Sequence, residues 1–159
     1  MTVTVLCVGK IKERFFTDAV NEYSKRLSKF CKLNIIEVED EETPQNAGEA
    51  LERSIRDKEG EKILKKIPQG AYTISLEIEG RKHDSISFAD RIDKIQINGS
   101  SNICFIIGGS LGLSDSVKKT AKESLSFSDM TFPHQLMRII LLEQIYRAFK
   151  IINNEPYHK

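Results

Sequence analysis

Residues 102–112 read NICFIIGGSLG, an apolar run from Asn102 to Ile107 that stops on Gly108 and Gly109. Six residues rich in Ile, Phe and Cys predict a buried strand, and the two glycines predict a turn leaving it. A residue without Cβ accepts φ > 0 and lets main-chain groups come close to another body. Ser114 and Asp115 follow with the chemistry of a helix start: a side-chain oxygen for orphan N–H groups and a carboxylate at the positive end of the dipole. The stretch therefore reads strand, glycine loop, helix. It is not a Walker loop, because no Gly-Lys-Ser/Thr follows, and it lacks the full Gly-x-Gly-x-x-Gly run. Phosphoryl transfer is disfavoured.

Outward from that stretch the same alternation recurs. Thr2 to Val8 and Leu33 to Val38 read as strands, separated by a helical pattern in which Phe16, Val20, Tyr23, Leu27 and Phe30 recur at steps of four and three. Pro44 to about Lys66 reads as a charged, largely solvated helix weakened at Gly60. Ala71 to Ile78 reads as a strand ending at Gly80, Ser87 to Asn98 as a short helix, and Ser124 to Phe127 as a short fifth strand. Strands alternating with helices predict an α/β fold with a mostly parallel sheet covered on both faces. In such sheets ligands gather at the carboxyl ends of strands, here Leu76 to Gly80, Ile107 to Gly112 and Phe127 to Phe132.

The chain has 159 residues, 40% of them hydrophobic, which suits one domain spanning 1–159 with a single core. No apolar run approaches the ~20 residues of a membrane span, and Met1 to Gly9 lacks a signal peptide's basic head; a cytoplasmic protein without a membrane partner is expected. Cys7, Cys31 and Cys104 are odd in number and widely spaced, as are His83, His134 and His158, so neither a disulfide framework nor a metal site is expected. The acidic run Glu39 to Glu42 reads as a solvated loop. A net charge of +1 argues against gripping bare nucleic acid mainly by counterion release, although Lys10, Lys12 and Arg14 cluster after the first strand.

The last helix, opening at Pro133 and running to about Asn153, carries apolar residues over an arc of about 200° at ~100° per residue. A helix on one core needs about half of that, which predicts a second covering surface: a second copy in a homodimer, or further elements of the chain's own fold that sandwich the helix. Arg138 lies in the middle of the arc. A guanidinium buried there requires a carboxylate, carbonyls or an anionic ligand, and the first turns of this helix adjoin the Phe127 to Phe132 loop.

The stretch FSDMTFPHQLMRIILLEQIYRAFKIINNEPYHK, Phe127 to Lys159, together with Ile107 to Gly112 (IGGSLG), Val5 to Lys10 (VLCVGK), Tyr23, Arg26, Leu27 and Leu76 to Gly80, resembles the ribosomal RNA large subunit methyltransferase H family. This is the small, single-domain branch of the SPOUT methyltransferases, and the resemblance covers essentially the whole chain. It implies a C-terminal trefoil knot, a homodimer, and S-adenosyl-L-methionine held among three knot loops, with S-adenosylhomocysteine as product and no metal. The family methylates N3 of a pseudouridine in helix 69 of 23S rRNA within the assembled ribosome.

Carried over by position, the implied cofactor contacts are Leu76, Gly108, Phe127, Ser128, Asp129, Met130, Thr131 and Phe132, largely through main-chain groups. The implied catalytic candidates are Tyr157 and His158 in the tail, with His134 and Arg138 on the last helix. The sulfonium supplies its own leaving group, so the protein's tasks are alignment and removal of the N3 proton. His158 is the candidate proton acceptor; Arg138 is the candidate holder of phosphate or of the developing anion. Lys159 stands where many members carry Arg, which keeps the charge without the bidentate geometry. The alternatives are a SPOUT methyltransferase acting on another RNA such as tRNA, and a non-catalytic flavodoxin-like nucleotide-binding module.

Overall fold

The structure, a computed structural model, describes residues 1–159. Five strands form one sheet: β1 (Thr2–Val8), β2 (Lys32–Val38), β3 (Tyr72–Lys82), β4 (Asn102–Ile107) and β5 (Glu123–Ser126). Their order is β2-β1-β4-β3-β5, and every pairing is parallel. Parallel neighbours need crossovers, supplied by α1 (Arg14–Leu27), α2 (Glu49–Leu64), α3 (Ser85–Ile97) and α4 (Asp115–Thr120); α5 (His134–Ile152) follows the last strand.

Successive strand residues point to opposite faces, and both faces are dry. Val3, Val5, Cys7, Ile103, Phe105 and Ile107 meet α1, α3 and α5 in the larger core; Leu6, Val8, Cys104 and Ile106 meet Ile63 of α2 and Val117 of α4 in the smaller one. This double burial explains why the strands read as continuous apolar runs. Burial pushes the thiols of Cys7 and Cys104 up to about 12, so they pack as small hydrophobes.

Two readings of the covering helix are corrected. It starts at Glu49 rather than Pro44, because Gly48 is extended as its N-cap and Pro44 sits in a turn whose carbonyl accepts from the Ala47 N–H. It is also less solvated than its charges suggest: Ile55, Glu59, Gly60 and Ile63 are buried. Gly60 is needed there, since a Cβ would lie 2.2 Å from Ser114 Oγ at the start of α4. That serine is the N-cap, accepting from the Val117 N–H at 3.4 Å.

α5 lies beside both α1 and α3. Leu141, Leu142, Ile145, Ala148 and Phe149 are buried, and Phe30 stacks on Phe149 with ring centres 5.8 Å apart. Much of the wide apolar arc is thus covered by the chain's own elements, while Leu136 and Ile140 stay half-buried. No helix is long and apolar enough to cross a membrane.

Candidate active site

The strand order β4-β3-β5 makes the three candidate loops neighbours, because parallel strands end on the same edge of the sheet. β3 leaves and rejoins its partner: both Leu76 and Arg81 pair with Leu125, and residues 77–80 form the excursion between them. Gly80 permits the return, since a Cβ there would fall 2.7 Å from the Leu125 carbonyl carbon. At the β4 exit, a Cβ on Gly108 would fall 2.7 Å from the Gly112 carbonyl carbon and 2.8 Å from its oxygen. The glycine therefore serves the closure of its own loop, where Gly112 N–H donates to Gly109 C=O at 3.1 Å. The missing Cβ at this position thus makes room for the loop's own backbone, and the Gly108 main chain keeps its free amide.

What the loops offer a ligand is main chain. The amides of Gly108, Ser110, Leu111, Thr131 and Phe132 make no hydrogen bond to another main-chain group, whereas Gly109 is bridged to Gly112. The third loop is braced instead by side chains: Met130 N–H donates to Ser128 Oγ at 3.0 Å, and Ser126 Oγ donates to the Ser128 carbonyl at 3.2 Å. Lys82, on the last residue of β3, pairs with Asp129 at 2.6 Å and ties two of the loops together. Unsatisfied amides on the β4 and β5 loops, either side of β3, fit a cofactor recognised through main-chain groups, so these residues suit the S-adenosyl-L-methionine implied by the resemblance.

A cleft of about 530 Å³ opens between the start of α3, the β5 exit and α5, within the range of small-molecule sites. Ile86, Phe88, Leu125 and Phe127 give it an apolar wall, and His83, Ser85, Gln144 and His158 give it polar groups. Of the residues expected from the sequence, Phe127 and His158 line this cleft. Leu76, Gly108 and residues 128–132 lie on the loops and are not among its walls. Ser85 Oγ donates to Gln144 Oε1 at 3.0 Å and joins α3 to α5 across the cleft. His83, Ser85 and Gln144 were not anticipated; α3 begins at Ser85, ahead of the Ser87 read from the sequence, with Asp84 as N-cap accepting from the Ser87 N–H at 2.7 Å.

The tail is folded back rather than frayed. The chain reverses at Asn154 (φ 54°), and Glu155 N–H donates to the Lys150 carbonyl at 2.9 Å. Tyr157 then packs edge-on to Tyr146, centres 5.0 Å apart, and donates its hydroxyl to Glu143 Oε1 at 3.2 Å. Burial, with the Glu143 carboxylate next in importance, raises the Tyr157 pKa and keeps it a phenol. Arg147 lies 4.6 Å over the Tyr157 ring and reaches His158 Nδ1 at 3.4 Å.

Arg138 is 1% exposed. Its Nη1 pairs with Glu37 at 2.8 Å, and its Nη2 donates to the carbonyls of Val8 at 3.2 Å and Gly9 at 2.5 Å. Of the two roles the sequence left open, the geometry matches the internal ion pair at both terminal nitrogens, which are turned to the exit of β1, while the buried Nε has no partner within the chain. His134, one turn earlier, is half-buried beside Gly9, with its Nδ1 unpartnered. Burial first, and then the Arg138 charge, lower its pKa, so its ring is held neutral.

On the opposite face of the sheet, the acidic connection after β2 is structured as well as solvated. Lys62 pairs with Glu41 at 2.7 Å, and Glu41 N–H donates to Glu59 Oε1 at 3.1 Å. No group of three His, Cys, Asp or Glu side chains is placed to hold a metal ion.

A family profile described as "Predicted SPOUT methyltransferase" matches residues 1–158. Solved structures of similar fold include a probable methylase family protein from Haemophilus influenzae Rd KW20, at TM-score 0.54 and 12% identity, covering 99% of this chain and 70% of that one. Another is the tRNA (m1G37) methyltransferase from Aquifex aeolicus, at TM-score 0.52 and 14% identity, covering 100% and 75%. The chain belongs to the SPOUT methyltransferase family, and within it to the ribosomal RNA large subunit methyltransferase H group. Proteins of that name from Clostridium botulinum (strain Eklund 17B / Type B) and Clostridium acetobutylicum are 55% and 54% identical to it, over 100% of both chains in each case.

Proposed function

We propose that this protein, acting as one domain over residues 1–159, transfers a methyl group from S-adenosyl-L-methionine to N3 of a pseudouridine in helix 69 of 23S rRNA within the assembled ribosome. The observation that carries the reading is end-to-end identity of about 55% to proteins named ribosomal RNA large subunit methyltransferase H. The free amides on the β4 and β5 exits support the cofactor, and the tail at the cleft supports the reaction. A cytoplasmic homodimer with a C-terminal trefoil knot around α5 belongs to the same proposal. A modest net charge is compatible with a target presented on a preformed ribosomal surface.

The bound cofactor supplies an electrophilic methyl carbon and a neutral thioether leaving group. The protein's share is to seat it, through the main chain of Leu76, Gly108 and Phe127 to Phe132, and to hold the target base in line. Phe127, beside the loop and in the wall of the cleft, offers an apolar face to that base. In the tail, His158 acts on the base at the mouth, and Tyr157, bonded to Glu143, anchors it there. His134 stays neutral and, with Arg138, holds the exit of β1 against α5. The imide N3–H is a weak acid, so groups that favour its anion accelerate the transfer.

The test is mass spectrometry of 23S rRNA from cells with and without the gene, joined to methylation of intact ribosomes, free rRNA and tRNA by the purified protein. Loss of a methylated pseudouridine in helix 69, restored by the gene, is the expected result. An unchanged helix 69 with a loss in tRNA would transfer the activity to the other substrate.

A further inference from the structure

The tail clamp consists of two side chains on one face of α5, one turn apart. Glu143 Oε1 accepts from Arg147 Nε at 3.1 Å and from Nη2 at 2.6 Å, so that edge of the guanidinium is fully used. Glu143 Oε2 is held in turn by Gln144 Nε2 at 2.8 Å. Arg147 and Glu143 are half-buried, with side chains 24% and 18% exposed, whereas His158 is exposed. The guanidinium is thus fixed in orientation, and its remaining Nη1 is the group that meets His158 Nδ1 at 3.4 Å. The Tyr157 ring lies under the same guanidinium.

A guanidinium can only donate, and it remains protonated in proteins. A ring nitrogen facing it must therefore present a lone pair, which leaves the single proton of a neutral imidazole on Nε2. We propose that Arg147, oriented by Glu143, is a positioning residue that sets His158 as the Nε2–H tautomer, so that His158 presents a hydrogen-bond donor to the target base in the cleft. The inference rests on the methylation reading above and assigns His158 a role opposite to proton acceptance. The N3 proton passes to solvent, and the resulting charge spreads over N3 and its two flanking carbonyl oxygens. Nε2–H donates to one of those oxygens while the N3 electron pair forms the bond to the methyl carbon and the C–S pair returns to sulfur. Tyr157, whose hydroxyl donates a hydrogen bond to Glu143, locks the tail and takes no proton either.

The test joins two readouts on the full-length protein. Long-range ¹H–¹⁵N correlation of His158 is expected to show unprotonated Nδ1 and protonated Nε2 in the wild type, a mixture of tautomers in Arg147→Met, and recovery of the Nε2–H form in Arg147→Lys. Single-turnover methylation of intact ribosomes is expected to fall about 10 to 100-fold in Arg147→Met, less than the about 10² to 10³ lost with an anion-stabilising donor itself, with S-adenosyl-L-methionine affinity unchanged. A wild-type ring protonated on Nδ1, or a tautomer ratio identical in Arg147→Met, overturns the proposal. A wild-type protein that leaves ribosomes unmethylated counts against the function reading alone, since the nitrogen shifts still decide the tautomer.

Discussion

Replacing Gly108 by alanine separates a loop that must keep its backbone shape from one that merely tolerates small residues. The added Cβ would sit 2.7 Å and 2.8 Å from the carbonyl carbon and oxygen of Gly112, and 3.1 Å from Leu113 Cδ2. Two of these three atoms are backbone, so relief requires moving the Gly108–Gly112 loop itself; overpacking of this kind costs about 1–3 kcal/mol. Gly109→Ala is the internal control. There the Cβ meets side-chain atoms and no backbone, Val8 Cγ1 at 3.1 Å and Glu59 Oε2 at 3.2 Å, so the loop itself need not move. If the whole cost falls on the fold, Gly108→Ala lowers the melting temperature by about 2–12 °C, at ~2–4 °C per kcal/mol for a chain of this size. If the loop instead settles into a displaced shape, the cost appears as about 5 to 150-fold weaker binding of S-adenosyl-L-methionine, tenfold for each 1.4 kcal/mol. Scanning calorimetry and titration calorimetry read the two channels. Gly108→Ala with wild-type melting and wild-type affinity, or an equal loss in Gly109→Ala, would refute the assignment of Gly108 to loop closure.

Three further perturbations address other parts of the molecule. Arg138→Met leaves the Val8 and Gly9 carbonyls without their donor and Glu37 without its counter-charge; because Glu37 is 35% exposed, the loss should lie near ~3 kcal/mol, the lower end for a broken buried pair, and an unshifted urea midpoint would contradict it. His158→Ala should slow methylation of ribosomes sharply while cofactor affinity stays within a few-fold; undiminished turnover removes the ring from the reaction. For Glu59, 4% exposed with Oε2 unpartnered, burial raises the pKa above the ordinary carboxylate value. The folded state then holds this proton more tightly than the unfolded one, so stability is greatest below the usual carboxylate range and declines as pH climbs through it toward the folded value. Glu59→Gln keeps an oxygen for the Glu41 N–H and avoids the ionisation, so it should stabilise at pH 7 and gain little at pH 4; equal gains at both would exclude the linkage.

The site was legible in part. The three strand exits are visible in the sequence as apolar runs ending on glycines or small polar residues, and their grouping follows from the parallel order of β4, β3 and β5. The cleft was not visible in the same way. Ser85 and Gln144 lie 59 residues apart, and no local pattern links them. Arg147 and Glu143 read as an ordinary i, i+4 pair on a polar helix face; only the fold-back at Asn154 brings Tyr157 and His158 onto them. Arg138 shows the converse: its position in the apolar arc predicted burial with partners, but carboxylate and ligand were equally good partners until Glu37, 101 residues away, came into place.

Sequence alone determined the class of fold and the order of its elements, because alternation at two and at 3.6 residues is a local consequence of backbone geometry. It also determined the family, through the combined pieces IGGSLG, FSDMTFPH and NNEPYHK. Tertiary structure decided what each polar group is for. A glycine can face a ligand or another backbone, and an arginine can face a ligand or a carbonyl. Which of these holds depends on atoms far away in the chain, fixed only when strands and helices pack.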